Sequence, residues 1–385
     1  MGITGNADTP VFWKRLDASG DLVLISNGLG VGRHSVIDIV GLRLIMVTTA
    51  GAANGRVVTL DLNQRDSGWQ VLVPEQSAAV IQGASVIGGR LVVTYTRHAA
   101  SEIWIVPLDA SGPKKPLSLP GVGSVLDLDT VTVKGEPDSP EFGFLFSSLS
   151  TPPAVYRASV NGGAPILEMQ AWDNSPLRPT AFERVEFPSK DGTRVGMFVL
   201  RRTDLNPEPR PLLVFAYGGF GVSMLPWEHV EAVPWVQAGG IFALVNTRGG
   251  SVNGEDWHRQ AMGANKRRAF EDLDAAVEHL VARGDAARGK AVALGISNGG
   301  LVVTATSLLW PDHYAAVIAL VPVTDLVRSH LIGQGFLWTE EFGVKNYENS
   351  AYHMALVHEY ARPLPRTLVT MAREDDRTTP IHAAK

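Results

Sequence analysis

The feature that most constrains the fold is a Gly-x-Ser-x-Gly pattern at residues 295–299, set between an apolar strand and the apolar start of a helix. A nucleophilic serine sits on such a strand-to-helix turn, where the glycines relieve crowding and the next backbone N–H faces a developing negative charge. The bare pattern arises by chance in glycine-rich chains, but this strand-helix context is the one that the chemistry requires. Ser297 is therefore the predicted nucleophile.

A carboxylate is expected after a later strand in this class of fold. The apolar run at residues 367–371 is followed by Asp375. The order serine, then aspartate, then histidine is that of the α/β-hydrolases. Asp375 is therefore the predicted acid, and a carboxylate on a surface loop is the alternative.

The first half of the chain, residues 1–180, has short β-branched runs between turn residues and almost nothing at helical spacing. Three strand-turn-strand stretches begin at Arg43, Arg90 and Phe142, roughly 50 residues apart, which suits four-stranded propeller blades. About three blades and a partial fourth around residues 21–26 are expected. A β-sandwich is the alternative.

The second half, residues 181–385, alternates strands with helices. A proline-rich stretch at residues 175–211 separates it from the first half, and the junction is placed near Ala181. The alternation predicts a doubly wound, mostly parallel sheet.

Composition excludes several classes of function. The 385 residues carry a net charge of −5 and scattered basic residues, which argues against nucleic-acid binding. No cysteine is present, so thiol chemistry and disulfides are excluded. No signal peptide and no long apolar span are visible, so no membrane association is predicted and the cytoplasm is the default location. No metal motif such as His-Glu-x-x-His occurs, and no cofactor is expected.

Four stretches together resemble the prolyl oligopeptidase family of serine peptidases: residues 216–221, 246–258, 295–300 and 375–380. The resemblance covers nearly the whole chain. It implies a seven-bladed propeller joined to an α/β-hydrolase domain, acting as a monomer on short proline-containing peptides.

The resemblance also implies roles for individual residues. Ser297 would attack the peptide carbonyl, while the Tyr217 hydroxyl and the Asn298 backbone N–H stabilise the oxyanion. Arg377 would bind a substrate carbonyl. The proline ring would lie in an apolar pocket formed by Trp338, Phe220, Val323, Phe342 and Thr378. The prolyl-specific branch usually has tyrosine at position 342 and valine at 378, which leaves pocket polarity open.

The general base of the family lies several tens of residues beyond the aspartate, and this chain ends ten residues after Asp375. His382 matches a second, non-catalytic histidine of the family, and His258 is typical of a structural residue. The expectation is a family member truncated at both ends and inactive alone. Two alternatives are a related hydrolase of other specificity, such as an oligopeptidase B or an esterase, and a non-catalytic binding module.

Overall fold

The computed structural model describes residues 9–16, 19–109, 112–126, 133–173, 178–357 and 363–385. Among these residues, small antiparallel sheets occupy the first half and one seven-stranded sheet occupies the second. The two halves were predicted from the change of hydrophobic pattern.

Consecutive antiparallel strands build the first half. A two-stranded sheet precedes two four-stranded sheets and a five-stranded sheet, and strands adjacent in the chain mostly pair with each other. The strands are β1 Phe12–Trp13, β2 Val23–Leu24, β3 His34–Val40, β4 Arg43–Thr48, β5 Arg56–Asp61, β6 Gln70–Val73, β7 Val80–Ile87, β8 Arg90–Arg97, β9 Ala100–Pro107, β10 Lys115–Leu117, β11 Ser124–Leu126, β12 Lys134–Gly135, β13 Glu141–Ser148, β14 Thr151–Ser159 and β15 Ile166–Gln170.

Apolar side chains hold neighbouring sheets of this half together. Ile45 of the first four-stranded sheet shares a buried cluster with Val93 of the second. Val92, on the opposite face of the same strand β8, shares another with Phe142 and Phe144 of the third sheet. Sheets that bury both faces against neighbours in this way are propeller blades, so the predicted partial propeller is confirmed.

The second half contains a mostly parallel sheet in the order β16-β17-β19-β18-β20-β21-β22. The β16–β17 hairpin and the β17–β19 pair are antiparallel, and the other four pairs are parallel. The predicted α/β-hydrolase sheet is confirmed. Its strands are β16 Thr180–Pro188, β17 Arg194–Arg202, β18 Arg210–Phe215, β19 Ile241–Val245, β20 Ala286–Ile296, β21 Tyr314–Leu320 and β22 Arg366–Thr370.

Helices cover the two faces of this sheet unequally. Helices α3 and α4 pack on one face, while α1 covers only the β17–β19 part of the other. Over β18, β20 and β21 that second face forms an apolar groove of about 610 Å³. The helices are α1 Ala232–Gln237, α2 Glu255–Arg259, α3 Arg267–Ala282, α4 Asn298–Leu309, α5 Thr339–Phe342, α6 Ala351–Val357 and α7 Ile381–Ala384.

The propeller and the hydrolase sheet meet at α2. The Glu255 backbone N–H donates to the Ala53 carbonyl at 2.8 Å, and the Glu255 carboxylate pairs with Arg33. A Cβ on Gly254 would lie 2.1 Å from the Asn54 Oδ1 atom, so the backbone there touches the propeller directly. A loop of the first blade thus lies against the start of α2.

Candidate active site

Ser297 occupies the turn between β20 and α4. Its φ of 55° and ψ of −115° are unusual for a residue with a side chain, and such strain is typical of functional sites. Backbone hydrogen bonds hold the turn: the Ser297 N–H donates to the Leu320 carbonyl at 2.8 Å, and the Val323 N–H donates to the Ser297 carbonyl at 3.3 Å. The side chain is left partly exposed at the carboxyl edge of the sheet.

The flanking glycines are required by close backbone contacts. A Cβ at Gly295 would lie 2.1 Å from the Gly299 carbonyl oxygen, and a Cβ at Gly299 would lie 2.6 Å from the Ala216 oxygen. Both distances are far below a normal van der Waals contact. The turn is therefore as crowded as the Gly-x-Ser-x-Gly pattern predicted, and the glycines relieve that crowding.

Tyr217 lies beside the serine. Burial raises the pKa of Tyr217, although the neighbouring Ser297 hydroxyl and the Arg377 charge act in the opposite direction. The phenol is therefore a protonated donor at neutral pH.

Asn298 supports the same loop. Its side chain is fully buried and donates from Nδ2 to the Tyr217 carbonyl. Its backbone N–H is at the first position of α4, where helix N–H groups have no partner within the helix. The residue can therefore hold Tyr217 through its side chain and offer a backbone donor to a ligand at Ser297.

Asp375 follows β22 in a turn that its own carboxylate stabilises. Oδ1 accepts the backbone N–H groups of Arg377 and Thr378 at 2.9 and 2.8 Å, and Oδ2 accepts the Thr378 hydroxyl at 2.9 Å. The Thr378 side chain, predicted for the pocket, is thus bonded to the predicted acid. Arg377 is exposed, and its charge reaches Tyr217.

Three predicted pocket residues form an aromatic cluster. The ring centroids of Phe220 and Phe342 are 5.4 Å apart, those of Trp338 and Phe342 are 6.2 Å apart, and all three pairs meet edge to face. This geometry is favourable between aromatic rings. Trp338 and Phe342 are buried, whereas Phe220 is half-buried with a φ of 57°. Val323, also buried, is tied to Ser297 by its backbone.

His382 makes a structural contact with the backbone of Asp325. Its Nδ1 accepts the Asp325 backbone N–H at 3.3 Å, and the side chain is buried. Burial lowers the pKa of His382 to about 4, with the Lys385 charge acting in the same direction and Asp325 opposing it. The imidazole is neutral at pH 7 and holds the loop that carries Asp325.

A buried polar cluster under the aromatic residues was not predicted. Lys266 pairs with Glu341, donates to the Gly218 carbonyl at 3.1 Å, and lies 5.3 Å from the Phe342 ring centroid. His258 bridges Glu255 and Glu341 at 3.2 and 2.7 Å. The available signal in the sequence was the pair Glu340 and Glu341 between the pocket aromatics Trp338 and Phe342.

One group of side chains has the composition of a metal site. Ligand atoms of Asp274, Glu278 and His313 lie within 4.8 Å of one another. The Lys190 ammonium is 2.8 Å from Asp274 Oδ2 and also pairs with Glu278. A lysine therefore already supplies the positive charge that these carboxylates need.

Among the described residues, no helix is long and apolar enough to cross a membrane. A serine at a strained elbow of a mostly parallel sheet, with a tyrosine beside it and an aspartate after a later strand, is the arrangement typical of serine hydrolases with the α/β fold. The sequence comparisons narrow this class.

Residues 227–385 match the prolyl oligopeptidase family, and residues 3–168 match the N-terminal β-propeller domain of the same family. The chain belongs to the prolyl oligopeptidase family of serine peptidases. It is 30% identical to a prolyl oligopeptidase from Omphalotus olearius over 92% of this chain and 48% of that protein. It is 28% identical to a prolyl endopeptidase from Elizabethkingia miricola over 97% of this chain and 53% of that one.

Solved structures give the same relationship. A prolyl endopeptidase structure is 34% identical, with a TM-score of 0.90 over 99% of this chain and 56% of that one. Oligopeptidase B from Leishmania major, at 23% identity and a TM-score of 0.84 over 97% of this chain and 55% of that one, shares the fold. The chain spans about half the length of the relatives that it matches.

Proposed function

We propose that the protein is a serine-type oligopeptidase that cleaves short peptides after proline through an acyl-enzyme on Ser297. The observation that carries the proposal is the strained Ser297 turn, which has Tyr217 as a neighbour that the Ser297 hydroxyl acts on. Relatives named as prolyl oligopeptidases and prolyl endopeptidases support the choice of substrate.

The chemistry follows from the donors around the serine. Ser297 Oγ attacks the peptide carbonyl, and the resulting oxyanion accepts hydrogen bonds from the Tyr217 hydroxyl and the Asn298 N–H. Each such donor typically contributes on the order of 3 kcal/mol to the transition state. The C–N bond then breaks, the amine leaves with a proton, and water hydrolyses the acyl ester to regenerate the serine.

The aromatic cluster supplies the selectivity. Phe220, its half-buried member, and Trp338 would flank a pyrrolidine ring, with Phe342 and Val323 completing the apolar wall. Arg377, which is exposed and whose charge acts on Tyr217, would donate to a carbonyl of the bound peptide.

The reaction also needs a group that takes the serine proton and returns it to the leaving amine. Two histidines of the described hydrolase half are already engaged: half-buried His258 is bonded to two glutamates, and buried His382 is bonded to the Asp325 backbone. We therefore propose that the 385-residue chain has little turnover alone, because triad members act as a unit. Asp375 would orient an imidazole supplied from elsewhere.

Chemical rescue tests this proposal. The purified chain is incubated with a fluorophosphonate probe over a series of imidazole concentrations, and labelling is followed by intact mass alongside hydrolysis of a Gly-Pro reporter. We expect slow labelling that rises with imidazole, and none in Ser297→Ala. The control Ser307→Ala removes a buried hydroxyl near the C-terminal end of α4, far along the helix from Ser297, and should label like the wild type.

Other outcomes separate the alternatives. If Ser297 is labelled but arginine reporters are hydrolysed as fast as proline reporters, a hydrolase of other specificity would be favoured. Tight binding of an intact proline peptide without labelling at any imidazole concentration would favour a non-catalytic binding module. Labelling that persists in Ser297→Ala would overturn the choice of nucleophile. The monomeric state and the cytoplasmic location stay predictions.

A further inference from the structure

Lys266 is a fully buried lysine placed between two parts of the candidate site. Removing an ammonium from water is unfavourable unless charge partners and hydrogen bonds compensate it. Lys266 has both kinds of partner: it pairs with Glu341, which is 2% exposed, and donates to the Gly218 carbonyl at 3.1 Å. A neutral apolar side chain could fill this volume without that desolvation penalty, so the charge calls for an explanation.

The first part that Lys266 holds is the loop carrying Tyr217. Two consecutive carbonyls of this loop are fixed by buried side chains: Asn298 donates to the Tyr217 carbonyl and Lys266 to the Gly218 carbonyl. The next residue, Gly219, lies against both donors, since a Cβ there would be 2.5 Å from Asn298 Nδ2 and 2.8 Å from Lys266 Nζ. The position of the Tyr217 hydroxyl is therefore set partly from Lys266.

The second part is the aromatic wall formed by Trp338 and Phe342 of the aromatic cluster. Glu341 lies on α5 directly before Phe342 and three residues after Trp338. The Lys266 ammonium pairs with Glu341 and also lies 5.3 Å from the Phe342 ring centroid. Burial raises the pKa of Glu341, but Lys266 and His258 outweigh burial and hold that pKa below its ordinary value. The Glu341 carboxylate is thus ionised, and its contact with Lys266 fixes α5.

We propose that Lys266 and Glu341 are positioning residues that hold the Tyr217 hydroxyl and the Trp338–Phe342 wall in one fixed relation. Selection of the residue before the cleaved bond and stabilisation of the oxyanion are thereby coupled. This inference rests on the proposed function. It assigns neither residue a contact with substrate.

The test compares reaction of Ser297 with two diphenyl aminoalkylphosphonates, one of proline and one of alanine, with imidazole present. In the double variant Lys266→Met/Glu341→Gln both charges are removed, so no unpaired buried charge is left and the fold should survive. We expect the proline-to-alanine ratio of labelling rates to fall about tenfold or more, because small displacements of reacting groups are costly. Tyr217→Phe should also have a smaller effect in this background than in the wild type.

Lys190→Met is the matched control. Lys190 pairs with two carboxylates, where Lys266 pairs with one, and like Lys266 it lies 5.3 Å from the centroid of an aromatic ring, here that of Trp310. Its removal should leave the labelling ratio unchanged. A folded double variant with a ratio within about twofold of the wild type would overturn the inference, since a change of that size is less than 0.5 kcal/mol.

A second readout needs no chemistry at Ser297. Fluorotyrosine is incorporated throughout, and the ¹⁹F resonance of Tyr217 is assigned by its loss in Tyr217→Phe. This resonance should shift in Lys266→Met/Glu341→Gln and stay in place in Lys190→Met. If Ser297 of the wild type reacts with neither phosphonate, the proposed function is wrong. If the Tyr217 resonance does not shift in Lys266→Met/Glu341→Gln, the positioning role is wrong.

Discussion

Ser297 adopts a backbone conformation that a residue with a side chain rarely takes, with a φ of 55°. Such strain persists only where the surrounding structure enforces it. Here the enforcement is local, because Gly295 and Gly299 lie so close that a Cβ on Gly295 would be 2.1 Å from the Gly299 oxygen. The turn and the reactive serine therefore depend on the same backbone contact.

Gly295→Ala should disrupt this turn. Neither the Gly299 backbone nor β20 can move without disturbing the sheet, so we expect a loss of about 2 kcal/mol or more in the free energy of unfolding, together with loss of Ser297 labelling. Gly121→Ala is the control, since a Cβ there meets nothing within 4 Å. Urea unfolding and intact mass measure the two effects. A Gly295→Ala protein with wild-type stability and labelling would show that the backbone contact is not needed.

His382 should make stability depend on pH. Burial lowers the pKa of His382 to about 4, below the 6.5 expected for an unfolded chain, so the unfolded state binds the proton more readily between these values. Its contribution is present above pH 6.5 and is lost as pH falls toward 4. From pH 7 to pH 5 the wild type should lose about 2 kcal/mol more stability than His382→Leu.

Denaturant unfolding of both proteins at pH 7 and pH 5 measures this difference. Other titrating groups are common to the two proteins and cancel when the pH responses are compared. Parallel responses would mean that His382 titrates normally, as an exposed side chain does.

The candidate site was predictable to the extent that its signals are local. Ser297 and its glycines fall in one short run, so the turn could be predicted from pattern and context. The place of Thr378 in the pocket follows from the family position alone, and no local pattern indicates that its hydroxyl bonds Asp375. Lys266 and Glu341 are 75 residues apart, and no pattern connects them before the chain folds.

At the scale of elements, the hydrolase strands were predicted from apolar runs. The apolar strand predicted directly before the Gly-x-Ser-x-Gly pattern is only the later part of β20, which extends over Ala286–Ile296. Pairing explains the extra length, because Arg210 of β18 pairs with Ala286 across a shift of register, beyond the apolar segment. Neighbouring strands set the ends of an element, and a single run of residues does not contain that information.

The open face of the sheet should bind apolar dyes. The groove over β18, β20 and β21 has a mostly apolar lining, and on the same face Ile296 is 43% exposed and Leu368 of the edge strand β22 is 56% exposed. Parallel sheets are normally covered on both faces. We expect anilinonaphthalene sulfonate to bind the folded chain and Leu368→Lys to weaken its fluorescence.

Leu331→Lys is the control for the dye experiment. Leu331 is 74% exposed, so this variant adds the same charge to an apolar surface residue outside the sheet. Equal fluorescence from wild type, Leu368→Lys and Leu331→Lys would place dye binding elsewhere.

At the scale of the whole molecule, a chain of charged side chains runs from the propeller to the candidate site. Arg33 pairs with Glu255, His258 bridges Glu255 and Glu341, and Lys266 pairs with Glu341. The repeat period of the propeller could be predicted from sequence because each blade repeats one local pattern. The Arg33–Glu255 contact joins residues 222 positions apart and could not.

These linked charged side chains should make the free energy of unfolding of the molecule fall as pH rises. Burial lowers the pKa of His258, but Glu255 and Glu341 outweigh burial and raise it above 6.5. The other charged groups that face these two carboxylates are Arg33, Arg259 and Lys266. A raised pKa means that the folded state binds the proton more tightly, so the stabilisation is complete below pH 6.5 and is lost as pH rises through the folded pKa.

His258→Gln keeps a polar side chain of similar reach and cannot be protonated. Between pH 6 and pH 9 the thermal midpoint of the wild type should fall more steeply than that of His258→Gln. His279→Gln is the control: burial lowers the pKa of His279, so its contribution changes on the acid side and the slope above pH 7 should match the wild type. If all three proteins have the same slope, the bridge between the propeller and the pocket carries no proton-dependent stabilisation.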